Sequence, residues 1–399
     1  MDITIIPTKL RGSISAIPSK SQAHRLLICA AFADRETQLI CPDTNRDIEA
    51  TADCLQALGA LIHRNEAGYL VVPVKEVPYC AQLPCCESGS TLRFMLPIVG
   101  ALGVDAVFSL EGRLPDRPLS PLWEEMKRMG CQLSRPTKTT VRCQGKLKAG
   151  QYRISGGVSS QFITGLLFAA ALMSGNSRIE IEGALESAPY VEMTQQALAL
   201  FGINSEGFRI QGGNSFRSPG LLTVEGDWSN GTFFLAAQAL GSDLTVDNLS
   251  PDSAQGDKAA VQWLAELSKK HCIIPATDIP DLVPILAVVA GQNHGARFTN
   301  IQRLRLKETD RVATVCDMIR TLGATAEASE DTLDISPAPY HSCTIHAQND
   351  HRIAMSAAIA ATVASGPVTV LNADCVSKSY PRFWEEYHRL GGHYEQYIR

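Results

Sequence analysis

Six times along the chain a polar, often charged cluster runs directly into a long apolar stretch rich in Ala, Leu and Ile. The openings are Ser19-Lys20-Ser21, Ser88-Gly89-Ser90, Ser159-Ser160-Gln161, Ser229-Asn230-Gly231, Pro280-Asp281 and Asn349-Asp350-His351-Arg352. Each predicts a helix start, because Ser, Asp and Asn cap free backbone N–H groups and bodies such as Phe168 to Leu172 are destined for burial. A buried helix leaves only its tip in water. Uncapped N–H groups and the positive end of the helix dipole make such tips ready anion sites, and several here also carry Lys20, Arg25, Arg93 or Arg352.

A second pattern keeps step with the first. Leu55 to Gly59, Met126 to Gly130, Leu198 to Gly202, Leu264 to Ser268, Ile319 to Gly323 and Tyr387 to Gly391 each read as an amphipathic helix end closed by Gly, once by Ser. The closing positions 59, 130, 202, 268, 323 and 391 are separated by 71, 72, 66, 55 and 68 residues. These periods exceed those of solenoids, so each unit is expected to be a block of two helices and several strands, repeated six times and folded into globular halves. Residues 203–225 carry strands and a Gly212-Gly213-Asn214 turn, and a hinge is expected there. If the first strand, residues 2–9, pairs with the C-terminal half, the chain crosses between halves twice, near residues 11–18 and near 226.

A chain of 399 residues with 45% hydrophobic content has ample material for roughly two or three cored domains. A net charge of −5 gives no basic field for nucleic acid, so cations gathered at helix tips imply small anions. The first residues, Met1 to Pro7, read as a strand rather than a signal peptide, and no apolar run approaches a membrane span. The expectation is a soluble, cytoplasmic, monomeric protein with no nucleic-acid or membrane partner. The twelve cysteines include no CxxC pair, so neither a metal site nor a disulfide framework is expected. Cys29, Cys54 and Cys316 read as small hydrophobes within helices, and Cys85-Cys86 as a candidate exposed thiol pair.

The densest chemistry lies in Leu304 to Arg311, where Lys307 and Arg311 are four apart and are expected to share a helical face, with Glu308 beside them as a proton carrier. His351 and Arg352 stand at the tip of a very apolar helix, where burial of both is costly without an anion. Arg113 and Arg117 flank Leu114-Pro115-Asp116 in a stiff loop, and Lys378 precedes the last helix. Together these clusters describe two anion pockets.

Lys20 to Arg25, Glu87 to Arg93, Asp116 to Leu119, Ser159 to Phe162, Ser187 to Tyr190, Lys307 to Arg311, Asp350 to Arg352 and Lys378 occur in an order that resembles the EPSP synthase family, the 3-phosphoshikimate 1-carboxyvinyltransferases. The resemblance runs from residue 19 to residue 381. It implies an α/β, two-domain enolpyruvyl-transferase-like fold of six βαβαββ-type repeats, three per domain, with the active site in the interdomain cleft. The domains are expected at residues 14–225, mainly the shikimate 3-phosphate side, and at 1–13 plus 226–399, completing the phosphoenolpyruvate site.

Residue by residue, the resemblance assigns Lys20, Ser21, Arg25, Ser159, Ser160, Gln161, Ser187, Tyr190, Asp281, Arg303 and Lys307 to shikimate 3-phosphate. It assigns Lys20, Gly89, Arg117, Gln161, Arg311, Arg352 and Lys378 to phosphoenolpyruvate. Asp281 and Glu308 are its proton carriers, with Lys20 stabilising developing charge, and no cofactor or metal is required. Glu87 departs from the Asn often found in the family, and Arg303 from an Asn near the shikimate phosphate. Only twelve residues separate Ser268 from Asp281, which implies a trimmed strand hairpin in the fourth unit. Within the same fold, UDP-N-acetylglucosamine enolpyruvyl transferases carry a reactive Cys in a loop where Glu111 to Arg117 has none. A non-catalytic phospho-metabolite-binding protein is the other alternative, and the intact Asp281 and Glu308 argue against it.

Overall fold

The structure, a computed structural model, describes residues 1–397. The chain forms two compact units, a central one over Pro18–Val224 and a terminal one over Met1–Ile17 with Glu225–Arg399. The first crossing falls at Ile17 and Pro18 instead of between 13 and 14. The strand Arg11–Ser15 runs on in parallel register with Asp243–Asp247, from Arg11 opposite Asp243 to Ser15 opposite Asp247, and so holds residues 14–17 in the terminal unit. The second crossing falls between Val224 and Glu225.

The central unit contains helices α1 (Lys20–Ala31), α2 (Arg46–Ala57), α3 (Gly89–Leu102), α4 (Leu122–Arg128), α5 (Ser160–Leu172) and α6 (Ala188–Leu200). They pair off with three four-stranded sheets. In spatial order these are Leu221–Thr223, Thr37–Ile40, Gly68–Val72 and Leu61–Asn65; then Cys80–Cys86, Asp105–Leu110, Thr140–Gly145 and Cys131–Ser134; then Gln151–Ser155, Ser177–Glu182, Arg209–Ile210 and Ser205–Glu206. In each sheet the first two strands are parallel and the remaining neighbours antiparallel. In the second and third sheets one helix makes the crossover that a parallel pair requires, and the other leads into the antiparallel hairpin. The first repeat borrows its opening strand from residues 221–223, far along the chain.

The terminal unit repeats the plan with α7 (Trp228–Ala239), α8 (Ala260–Leu267), α9 (Val283–Gln292), α10 (Arg311–Leu322), α11 (His351–Ala361) and α12 (Phe383–Arg389). Two of its sheets have four strands, the last one taking Asp2–Ile6 between Val368–Leu371 and His393–Tyr397. The fourth repeat keeps only the two-stranded Arg11–Ser15 and Asp243–Asp247 sheet, because the chain passes from α8 straight to the next repeat at Cys272. Ser268, where the other repeats have Gly, stays in the right-handed region. Gly59, Gly130, Gly202, Gly323 and Gly391 all take positive φ, the conformation that turns the chain back into a hairpin strand.

The first helix of each repeat is the buried one. Every residue of α11 is buried, and α9 leaves only Gln292 partly exposed, as an all-round apolar helix must be. Two hydrophobic cores result, one confined to each unit. Side-chain caps start α1 (Ser19), α3 (Ser88), α5 (Ser159) and α11 (Asp350) as the polar clusters predicted. In α7 the cap is Asp227, which accepts from Asn230 N at 2.7 Å, so Ser229 lies inside the first turn. Helix α9 starts at Val283 with no side-chain cap, leaving Asp281 outside it.

Cys85 is fully buried and Cys86 half-buried, so the adjacent pair is not an exposed thiol pair; the strand Cys80–Cys86 turns the Cys85 side chain into the core.

Helices α3 and α5 pack closely at Gly165. Pro97 cannot donate to the Arg93 carbonyl one turn earlier, and Gly165 packs against that carbonyl, where an added methyl would collide with the oxygen and lie 3.0 Å from Pro97 Cγ. Gly165→Ala should therefore force the helices apart and lower stability by about 1–3 kcal/mol, the usual scale of overpacking. Urea unfolding checks this; wild-type stability would show that the contact yields freely.

Candidate active site

The site residues expected from sequence fall into two groups, one in each unit. In the central unit they sit on the tips of α1, α3, α5 and α6. Arg25, one turn into α1, is buried, and four neutral oxygens accept its hydrogen bonds: Ser21 O at 2.6 Å, Tyr190 O at 2.8 Å, and the hydroxyls of Thr194 at 2.8 Å and Thr164 at 3.4 Å. Its guanidinium also lies 5.2 Å from the centroid of the Phe94 ring. Burial pulls its pKa down to about 10, the signature of a cation held without a carboxylate. An incoming anion is the partner this geometry lacks.

Beside it, Lys20 is paired with Asp47 at 2.9 Å. Gln161, at the tip of α5, accepts from Arg93 at 2.8 Å and donates to Ser90 Oγ at 2.8 Å, which ties that tip to the tip of α3. Gly89 opens α3, and a methyl there would stand 2.7 Å from Arg117 and 2.8 Å from Arg93, so the missing side chain is what lets both guanidiniums close over the tip. Arg117 follows the short turn Leu114–Asp116 that the stiff loop predicted. The Ser159 hydroxyl is used in capping Gln161 N at 3.3 Å, Ser160 is buried behind it, and Ser187 is held at a φ of 54° before α6. Such a conformation is unfavourable for a residue with a Cβ and tends to mark functional loops.

In the terminal unit the group is organised by Arg311, which is 1% exposed. Its Nε donates to Asp350 at 3.0 Å, one terminal nitrogen to Asp281 at 2.7 Å, and the other to Glu308. Asp281 in turn meets Lys307 at 3.3 Å and Arg352 at 3.1 Å. Asp350 is fully buried, caps Arg352 N at 2.9 Å and accepts from Thr309 at 3.2 Å. Lys378 is buried and donates to Asn349 O at 2.9 Å, beside the tip of α11, where His351 is also buried. Arg303 lies in the turn Gln302–Leu306, near enough to depress the basicity of Lys307.

Lys307 and Arg311 do not share a helical face. Asp310 caps Ala313 N at 3.1 Å and starts α10 at Arg311, leaving Lys307 extended at the end of the preceding turn. The two cations meet through Asp281 instead. Sequence reasoning missed Asp47, Thr164 and Thr194, and a buried chain in which His24 Nδ1 lies 2.7 Å from the Thr51 hydroxyl, Thr51 from Thr91 at 2.7 Å, and Thr91 from Ser88 at 2.7 Å. Burial, then Lys20 and Arg25, hold the pKa of His24 well below the usual range, so it is neutral. The Asn45-Arg46-Asp47 cluster at the start of α2 was the one available signal for Asp47.

The sequence and fold of the chain have known counterparts. The family model for EPSP synthase (3-phosphoshikimate 1-carboxyvinyltransferase) matches residues 5–277 and 266–387, and the chain belongs to that family. It is 37% identical to the 3-phosphoshikimate 1-carboxyvinyltransferase of Clostridium kluyveri, over 99% of this chain and 98% of the relative. It is 36% identical to that of Clostridium beijerinckii, over 99% of both. A solved EPSP synthase structure from Acinetobacter baumannii superposes with a TM-score of 0.81 at 22% identity, covering 99% of this chain and 100% of that one, which shows the shared fold.

Lys307 gives the terminal group a pH signature. Burial lowers its pKa from 10.5 to about 8, outweighing the attraction of Asp281. Between those values the unfolded chain keeps a proton that the folded chain has released, so folding stability rises with pH across that window. Urea unfolding should show the wild type gaining stability relative to Lys307→Met from pH 8 to 10.5, and no such drift below. A difference independent of pH would mean that the amine is not held in the depressed state.

Proposed function

We propose that the protein transfers the enolpyruvyl group of phosphoenolpyruvate to the 5-hydroxyl of shikimate 3-phosphate, releasing phosphate, in aromatic amino-acid biosynthesis. The full-length match to 3-phosphoshikimate 1-carboxyvinyltransferases supports this reaction. The hydroxyl oxygen attacks C2 of phosphoenolpyruvate while C3 takes a proton; the tetrahedral intermediate then loses a C3 proton and expels phosphate. Balance requires one group to take the alcohol proton and another to deliver and recover the C3 proton.

The observation that carries our assignment of these roles is the pairing of Asp281 and Glu308 on the single guanidinium of Arg311. A shared cation holds both carboxyl groups in fixed positions; the one that takes the alcohol proton acts as a carboxylate, and the one that serves C3 carries the proton it delivers and recovers. Lys307 and Lys20 supply positive charge for oxyanions that develop during addition and elimination. On this reading Arg25, Ser21, Ser159, Ser160, Gln161, Ser187 and Tyr190, with Lys307 and Arg303, take shikimate 3-phosphate. Arg117, Gly89 and Gln161, with Arg311, Arg352 and Lys378, take phosphoenolpyruvate. Arg forks suit both carboxylate and phosphate. No helix among the described residues is long and apolar enough to cross a membrane, which accords with a cytoplasmic biosynthetic enzyme, and we read it as a monomer.

Phosphate release with both substrates tests the reaction and excludes a mere binding protein. Glu308→Gln should bind shikimate 3-phosphate nearly normally while turnover falls by roughly two orders of magnitude, the scale of a lost general acid or base. Asp281→Asn should lose both affinity and turnover, because Asp281 also positions Lys307 and Arg352. Calorimetry beside steady-state phosphate release separates the two; near-normal turnover in Glu308→Gln would route the proton through another group.

A further inference from the structure

The third sheet of the central unit has a pocket at the end opposite its helix tips. Helices α5 and α6 leave from the C-terminal ends of Gln151–Ser155 and Ser177–Glu182, where Ser159 to Gln161 and Ser187 lie. The pocket opens at the other end, around Gly150, Asn176 and Ser177, with a volume of about 600 Å³, within the range of small-molecule sites. A five-residue strand separates the two ends by roughly 16 Å.

Its wall carries an unusual pairing. Where Ser177–Glu182 meets Arg209–Ile210, Ser177 faces Ile210 on the buried side and Arg178 faces Arg209 on the exposed side. Like charges directly opposite in an antiparallel pair repel, with Cβ atoms only about 5 Å apart. Neither guanidinium makes a side-chain hydrogen bond or ion pair among the described residues, although Glu206 stands opposite Arg209 on the next strand. The Asn176 side-chain Oδ1 accepts from Gly212 N at 2.9 Å, which leaves the side-chain amide N–H groups to act as donors. That bond depends on Gly212, because any side chain there would collide with the backbone of Ser174 and Gly175. The Gly212-Gly213 turn joins Gln211 to Asn214, both of which line the pocket.

We propose that this pocket is a second anion site, in which Arg178 and Arg209 together clamp the phosphate or carboxylate of a small metabolite. An anion between them turns the repulsion into two attractions, and Asn176 adds a donor. Glu206, opposite Arg209, disfavours a polyanion and limits the ligand to a compact mono- or dianion. The inference is independent of the reaction proposed above.

Arginine footprinting with phenylglyoxal, read by peptide mass spectrometry, resolves the site without reference to activity. Inorganic phosphate and malonate are titrated separately on the full-length protein, against chloride at equal ionic strength. At ten times its Kd the bound anion should slow modification of Arg178 and Arg209 about tenfold, with exposed Arg11 unaffected. Protection by phosphate alone or malonate alone identifies the anion class, and by both, a general anion clamp. Arg178→Gln should abolish protection of Arg209. Failure of both anions to protect beyond chloride, or protection of Arg209 that survives Arg178→Gln, would overturn the proposal.

Discussion

One buried guanidinium holds the terminal unit's chemistry together. Arg311 is donor to Asp350, Asp281 and Glu308, and removing one partner of a buried ion pair typically costs about 3–5 kcal/mol. Around it three carboxylates, Asp281, Glu308 and Asp350, balance three cations, Lys307, Arg311 and Arg352. Opposite formal charges thus alternate within this set, which eases their placement on the tips of apolar helices. Loss of the Lys307 proton near pH 8 removes one positive charge from this set.

The central unit solves the same problem differently. Arg25 is surrounded by neutral oxygens and the Phe94 ring, and its pKa is pulled down to about 10. Its charge is not cancelled by a carboxylate, so neutral oxygens and the ring face alone offset the cost of burying it. The hydroxyls of Thr164 and Thr194 hold the guanidinium in a fixed orientation, so little ordering remains to be done on binding. The contact of Gly165 with the Arg93 carbonyl brings α5 against α3, and Gln161 and Arg93 meet across that junction. Packing in the core and the spacing of the cations at the tips are thus one constraint.

The repeats were legible because two local signals recur in step, a polar tip before each apolar helix and a glycine after each amphipathic one. The short fourth repeat was legible from chain length alone. Pairings between distant segments were harder to read: Leu221–Thr223 completes the first sheet, and Arg11–Ser15 extends against Asp243–Asp247, neither of which a local pattern records. The shared face expected for Lys307 and Arg311 failed because Asp310 caps the helix between them. In the site, charged residues at helix tips stood out, whereas Thr164, Thr194 and the His24–Thr51–Thr91–Ser88 chain lie on buried helix faces. Their part depends on which helix packs opposite, and their polarity alone does not announce it.

On the proposed reading two buried arginines differ in ligand: Arg25, which no carboxylate pairs, takes shikimate 3-phosphate, and Arg352 takes phosphoenolpyruvate. Calorimetric titration of shikimate 3-phosphate into Arg25→Gln and Arg352→Gln, without phosphoenolpyruvate, tests it most directly. Arg25→Gln should weaken binding by tenfold or more, about 1.4 kcal/mol, while Arg352→Gln stays near the wild type. Equal losses in both variants, or a loss confined to Arg352→Gln, would contradict the division.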